Sequence, residues 1–85
     1  MSVKMTISAD QCRAARGLVD MDQATLAEAA SVSRSVIVDF ENGRRTPNRN
    51  NLAAIQAALE DAGVAFIDAN GGGPGVRLAE QKPSH

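Results

Sequence analysis

Apolar positions recur along this chain at helical spacing through its first two thirds and at strand-like spacing only near its end. Cys12 and Ala15 lie three apart, and Ser8 followed by Gln11 forms a capping box, so the pattern predicts a first helix over Ala9 to Arg16 or Gly17. Gly17 suits its end, with Leu18, Val19 and Met21 covering the core from the connection. Asp22 caps a second helix over Gln23 to Ala30 with Leu26, Ala27 and Ala30 inward; the small side chains permit a close, steep helix crossing. Ser31 and Val32 then make a turn. Ser33 caps a third helix over about Arg34 to Asn42, which turns Val36, Ile37 and Phe40 to one arc and Arg34, Ser35, Val38, Asp39 and Asn42 to the other. Gly43 ends it. Thr46 as cap and Pro47 as first helical residue restart the chain as a fourth helix to about Ala62, burying Leu52, Ile55, Ala58, Leu59 and Ala62; Gly63 closes it.

The period then changes. Val64 to Ile67 and Gly75 to Leu78 are short β-prone runs, and the glycine-rich stretch from Asp68 to Pro74 lies between them, which predicts a β-hairpin. A lone two-stranded hairpin is marginal in water, so it needs a helix to pack on or a second copy to pair with. Val64, Phe66, Ile67, Val76 and Leu78 are therefore the candidate dimerisation residues. The expected organisation is a flexible N-terminus (1–7), a helical domain (8–63), the hairpin (64–78) and a disordered tail (79–85).

Composition narrows the function. With 85 residues there is room for one small core, and a net charge of −1 supplies no global field that would draw in nucleic acid. Positive charge is instead local: Asn42 to Asn51 holds Arg44, Arg45 and Arg49 and no acid. The aromatics are Phe40 and Phe66 alone, too few for a platform that stacks single-stranded bases. The single cysteine, Cys12, excludes an internal disulfide and a cysteine-built zinc site, and reads as a small core residue. His85, the only histidine, reads as tail, so neither metal nor cofactor is expected. No apolar run approaches the ~18 residues of a membrane span, and the N-terminus lacks a signal-peptide stretch, which predicts a cytoplasmic protein. The GGGPG run lacks the GK[ST] ending of a phosphate loop. With no nucleophile–base–acid cluster and no lobe to bury a substrate, an enzyme is not expected.

The stretch Gln23 to Pro47, QATLAEAASVSRSVIVDFENGRRTP, carries the sharpest signal. It resembles the Cro/phage-repressor (Xre) family of helix-turn-helix proteins, whose members read Q-x-x-LA, then V-S-x-S-x-I, then E-N-G-x-R-x-P. Gln23, Leu26-Ala27, Val32-Ser33, Ser35, Ile37, Glu41-Asn42-Gly43, Arg45 and Pro47 match, and the likeness spans about Ser8 to Gly63. It implies a mostly α fold: four helices in a lambda-repressor-like helix-turn-helix domain, here with a short C-terminal β-hairpin. It implies base contacts from Arg34, Ser35, Val38 and Asp39, and backbone contacts to double-stranded DNA from Gln23, Ser33, Asn42, Arg44, Arg45 and Arg49. It also implies an ion pair, Arg16 with Glu41, tying the first helix to the end of the third. Two positions depart from the family: Ser31 stands where glycine is usual, and Asp39 where many members carry Arg, Gln or Ser.

The expected function is a transcriptional regulator, a repressor binding an inverted repeat as a homodimer. Because fold does not fix function, two alternatives stand beside it: a module that binds a regulatory protein, such as an anti-activator, and the antitoxin of a toxin–antitoxin pair.

Overall fold

Four helices and one hairpin follow each other in the expected order in the computed structural model, which describes residues 7–68 and 72–79: α1 (Ala9–Leu18), α2 (Gln23–Ala30), α3 (Arg34–Glu41), α4 (Arg49–Asp61), β1 (Val64–Ile67) and β2 (Gly75–Leu78). All of the expected tail but Ala79, and all of the expected flexible N-terminus but Ile7, lie outside the described residues. Ile7, which falls within that N-terminal stretch, is 2% exposed and belongs to the core.

Local chemistry sets each boundary. At α1 the Ser8 hydroxyl accepts from the Gln11 amide at 3.1 Å while the Gln11 side chain accepts from the Ser8 amide at 2.9 Å, the reciprocal capping box. The helix runs one to two residues past its expected end. Gly17 lies within it, and the left-handed residue of the connection is Asp20 (φ 56°), an aspartate being one of the few side chains that tolerates this region. Leu18 consequently points outward and is exposed, whereas Val19 and Met21 pack on the core as expected.

Asp22 caps α2 by accepting from the Thr25 amide at 2.7 Å. Ser31 ends α2 in the left-handed region (φ 59°), and the Val32 amide turns back to the Ala27 carbonyl at 2.9 Å. Ser33 occupies the N-cap position of α3 without making a side-chain cap; its hydroxyl pairs with that of Ser35 at 3.0 Å. Asn42 caps the other end and Gly43 takes a positive φ of 78°, which glycine adopts without Cβ strain.

The fourth helix starts later than expected. Thr46 and Pro47 precede it, and Asn48 is the N-cap, its side chain accepting from the Asn51 amide at 2.8 Å. Asparagine competes well for this position, because its amide oxygen reaches the third amide of the helix. At the far end Ala62 is the C-cap and exposed, not part of the buried stripe, since the helix stops one residue before it. Gly63 (φ 111°) makes the reversal, and its carbonyl accepts from the Ala79 amide at 2.7 Å.

The core joins all four helices. Leu26, Ile37, Ile55, Leu59 and Cys12 are fully buried, with Ala15, Ala27, Ala30, Phe40, Leu52, Ala58 and Val64 around them. Helix α2 packs on α3 and α4, and α1 packs on α3 and on the hairpin. The hairpin is antiparallel, pairing Val64 with Leu78, Ala65 with Arg77, Phe66 with Val76 and Ile67 with Gly75. Its support comes from within the chain: it lies against α1 and α4, and the Gln11 amide donates to the carbonyls of Gly75 (3.0 Å) and Ile67 (3.4 Å).

Candidate nucleic-acid interface

Helix α3 is fixed from beneath. Ile37 is fully buried and Phe40 5% exposed, so these two side chains set the rotation of the helix about its axis. At about 100° per residue, Arg34, Val38, Asn42, Ser35 and Asp39 then span an arc of about 140° on the far side. Arg34, Ser35 and Asn42 are exposed, and Val38 and Asp39 are half-buried. Val36 leaves this arc and packs against the core.

The connection to α4 extends the polar surface. Arg44, Arg45 and Arg49 are all exposed. The amides of Arg44 and Arg45 donate to the Asp39 carbonyl at 2.9 and 3.3 Å, which folds this turn back onto the end of α3. Between α3 and the start of α4 lies a cleft of about 210 Å³ whose polar lining is Ser35, Asp39, Arg45, Thr46, Asn48 and Asn51.

Beneath the surface, Glu41 is the meeting point of three helices. Its carboxylate is 2% exposed and receives the Arg16 guanidinium in a bidentate pair, Nε to Oε2 and Nη2 to Oε1, both at 2.7 Å. A third donor of Arg16, Nη1, reaches the Met21 carbonyl at 3.0 Å. The Gln23 amide donates to Glu41 Oε1 at 3.1 Å, and the Cys12 thiol to Oε2 at 3.1 Å. Arg13 bonds the Glu41 carbonyl and pairs with Asp10. Every buried side-chain nitrogen and oxygen among the described residues has a partner.

Electrostatics follow from this geometry. Burial pushes the Glu41 carboxyl up, but the hydrogen bonds from Arg16, Cys12 and Gln23 outweigh it and hold it below the ordinary glutamate value. The hydrogen bond to Glu41 holds Arg16 above its own. Burial, then the adjacent Glu41, drives the Cys12 thiol far up, which leaves it protonated and inert as a nucleophile. Asp22 is lowered by the Thr25 amide that it caps.

The structure therefore gathers Arg34, Ser35, Val38, Asp39 and Asn42 on one face of α3, with Arg44, Arg45 and Arg49 in the chain that follows. Gln23 stands at the first position of α2 with one amide hydrogen committed to Glu41. Of the hairpin residues, Val64 is taken up by the chain's own core, Phe66 and Val76 pack partly against it, and Ile67 and Leu78 are 40% and 56% exposed. Sequence reasoning read Gln11 only as a capping partner and Cys12 only as filler. Their bonds to the hairpin and to Glu41 join positions far apart along the chain, and no local pattern marks them. Among the described residues no helix is long and apolar enough to cross a membrane, and no group of three or more His, Cys, Asp or Glu could hold a metal ion.

A profile of the family described as Helix-turn-helix matches residues 13–60, more than half of the chain. The chain belongs to the Cro/phage-repressor (Xre) helix-turn-helix family. A solved relative is the DNA-binding domain (residues 1–76) of the P22 C2 repressor, determined in solution by nuclear magnetic resonance. It is 30% identical and superposes with a TM-score of 0.59 over 71% of this chain and 76% of that one. No curated protein matches the sequence. In this helix-turn-helix protein α2 and α3 are the two helices of the motif, Ser31 its turn, and α4 and the hairpin the elements that close the core around it.

Proposed function

We propose that this helix-turn-helix protein is a sequence-specific regulator of transcription, a repressor that binds an inverted-repeat operator in double-stranded DNA as a homodimer. Helix α3 enters the major groove. Arg34, Ser35, Val38 and Asp39 meet base edges, and Gln23, Ser33, Asn42, Arg44, Arg45 and Arg49 meet the sugar–phosphate backbone.

The observation that carries this reading is the face of α3. Two apolar residues hold the helix to the core while Arg34, Ser35 and Asn42 stand in solvent, with arginines and no acid in the exposed turn beyond. Membership of the family and likeness to a repressor's DNA-binding domain support it. The N-terminus of α2 adds amides that suit a phosphate, beside the free amide hydrogen of Gln23.

One such domain reads few base pairs. Dimerisation doubles the site and sets half-site centres about one helical turn, ~34 Å, apart. The hairpin is the dimerisation element, its exposed Ile67 and Leu78 offering apolar surface to a second copy. The protein acts in the cytoplasm, on the nucleoid when bound, and performs no catalysis.

Substitution separates the two kinds of contact. Arg34→Ala should weaken binding to the operator by about 1–3 kcal/mol and relax selectivity at one base pair. Arg44→Ala with Arg45→Ala should weaken binding to all duplexes alike and reduce the dependence on salt. Titrations of labelled duplexes at several salt concentrations measure both. Operator affinity that Arg34→Ala leaves unchanged would remove α3 from the groove.

A further inference from the structure

Asp39 is the one acid on the exposed face of α3, and an acid facing phosphates is unfavourable unless it has a partner. In the free protein it has no arginine: the ion pairs among the described residues are Arg13 with Asp10 and Arg16 with Glu41. Its position is nevertheless fixed. Its backbone carbonyl accepts the amides of Arg44 and Arg45, and it lines the cleft between α3 and the start of α4 with Ser35, Arg45 and Asn51, Arg45 lying beyond ion-pair distance. Along the helix it stands about 140° round from Arg34 and about 7.5 Å further along the axis, so the two side chains meet different base pairs.

We infer that Asp39 is a specificity-determining residue that selects cytosine. This rests on the DNA-binding reading above and adds a base to it. A carboxylate only accepts hydrogen bonds, so it must meet a donor in the major groove. Guanine presents N7 and O6, both acceptors, and thymine presents O4 and a methyl group. Adenine presents the N6 amine beside the N7 acceptor, which opposes a carboxylate. Cytosine presents the N4 amine with no acceptor beside it and is the complement. An arginine pairs best with the O6 and N7 of guanine, so the half-site carries one position of guanine facing Arg34 and a separate position of cytosine set by Asp39. The same carboxylate lowers affinity for every other duplex through repulsion of the backbone, so its presence raises selectivity at the cost of general binding.

The test is selection from a random-sequence duplex library with the full chain, in parallel for the unaltered protein, Asp39→Asn and Asp39→Ala. Thermal melting checks that all three fold. The unaltered protein should enrich a half-site with cytosine at one position, preferred by about tenfold. Asparagine reads adenine N6 and N7, so Asp39→Asn should move that position to adenine. Asp39→Ala should erase the preference there, and neither should alter the other positions. An identical motif from all three proteins would overturn the assignment, and so would tighter binding of both variants to every duplex with no change of motif, because Asp39 would then act by repulsion alone. If the unaltered protein enriches no motif at all, the DNA-binding reading fails, and the base assignment with it; that outcome is distinct from an unchanged motif.

Discussion

Ser31 shows how much a single residue carries in the motif. Its φ of 59° places a side chain in the left-handed region, where a Cβ costs about 1–2 kcal/mol. Ser31→Gly removes that strain and adds some unfolded-state entropy, so we expect a net gain of about 0.5–1 kcal/mol in chemical denaturation. Glu41 carries more. Arg16→Ala strands a carboxylate that is 2% exposed, and we expect a loss on the order of 3 kcal/mol, with a smaller loss when Glu41→Leu accompanies Arg16→Met. The pH dependence has a fixed sign. The folded carboxyl titrates below the unfolded one, so its contribution is complete above the ordinary value near 4.3 and disappears as pH falls through the lower folded value. Denaturation midpoints of the unaltered protein should therefore drop in acid below about pH 4, and Glu41→Gln should flatten that drop. The pairing of Arg16 with Glu41 is visible in the sequence only through the family resemblance. The bonds from Gln23 and Cys12 to the same carboxylate are not, since each joins helices whose packing no local pattern specifies.

Elements were legible where a cap and a periodic stripe agreed. Asp22, the alanines and Leu26 fixed both ends of α2, and the Ile37–Phe40 pair fixed the buried side of α3. Boundaries slipped where two capping residues competed. Thr46-Pro47 and Asn48 are both good starts, and the chain uses Asn48; Gly17 and Asp20 both suit a left-handed turn, and the chain uses Asp20. The β-prone runs revealed the hairpin, but not what holds it. Gln11 does so by closing the capping box with its oxygen and holding the hairpin carbonyls with its nitrogen. Gln11→Glu keeps the acceptor and removes the donor. We expect α1 to remain capped while amide hydrogen exchange in residues 64–67 and 75–78 speeds up by at least about tenfold. Equal acceleration in α1 would show that the two elements open together.

Taken whole, the molecule carries a net charge of −1 and yet sets three exposed arginines, Arg44, Arg45 and Arg49, together after α3 in one stretch without acids. Its binding should therefore depend on that patch and respond steeply to salt, since no global field compensates when the patch is screened. The measurement that bears most directly on the proposed function is fluorescence anisotropy of the protein with the duplex lying just upstream of its own gene, at two salt concentrations and with excess unrelated duplex. We expect saturable binding that survives the competitor and weakens as salt rises. Binding that the competitor abolishes, or none at either salt concentration, would contradict sequence-specific recognition by α3 and turn attention to a protein partner.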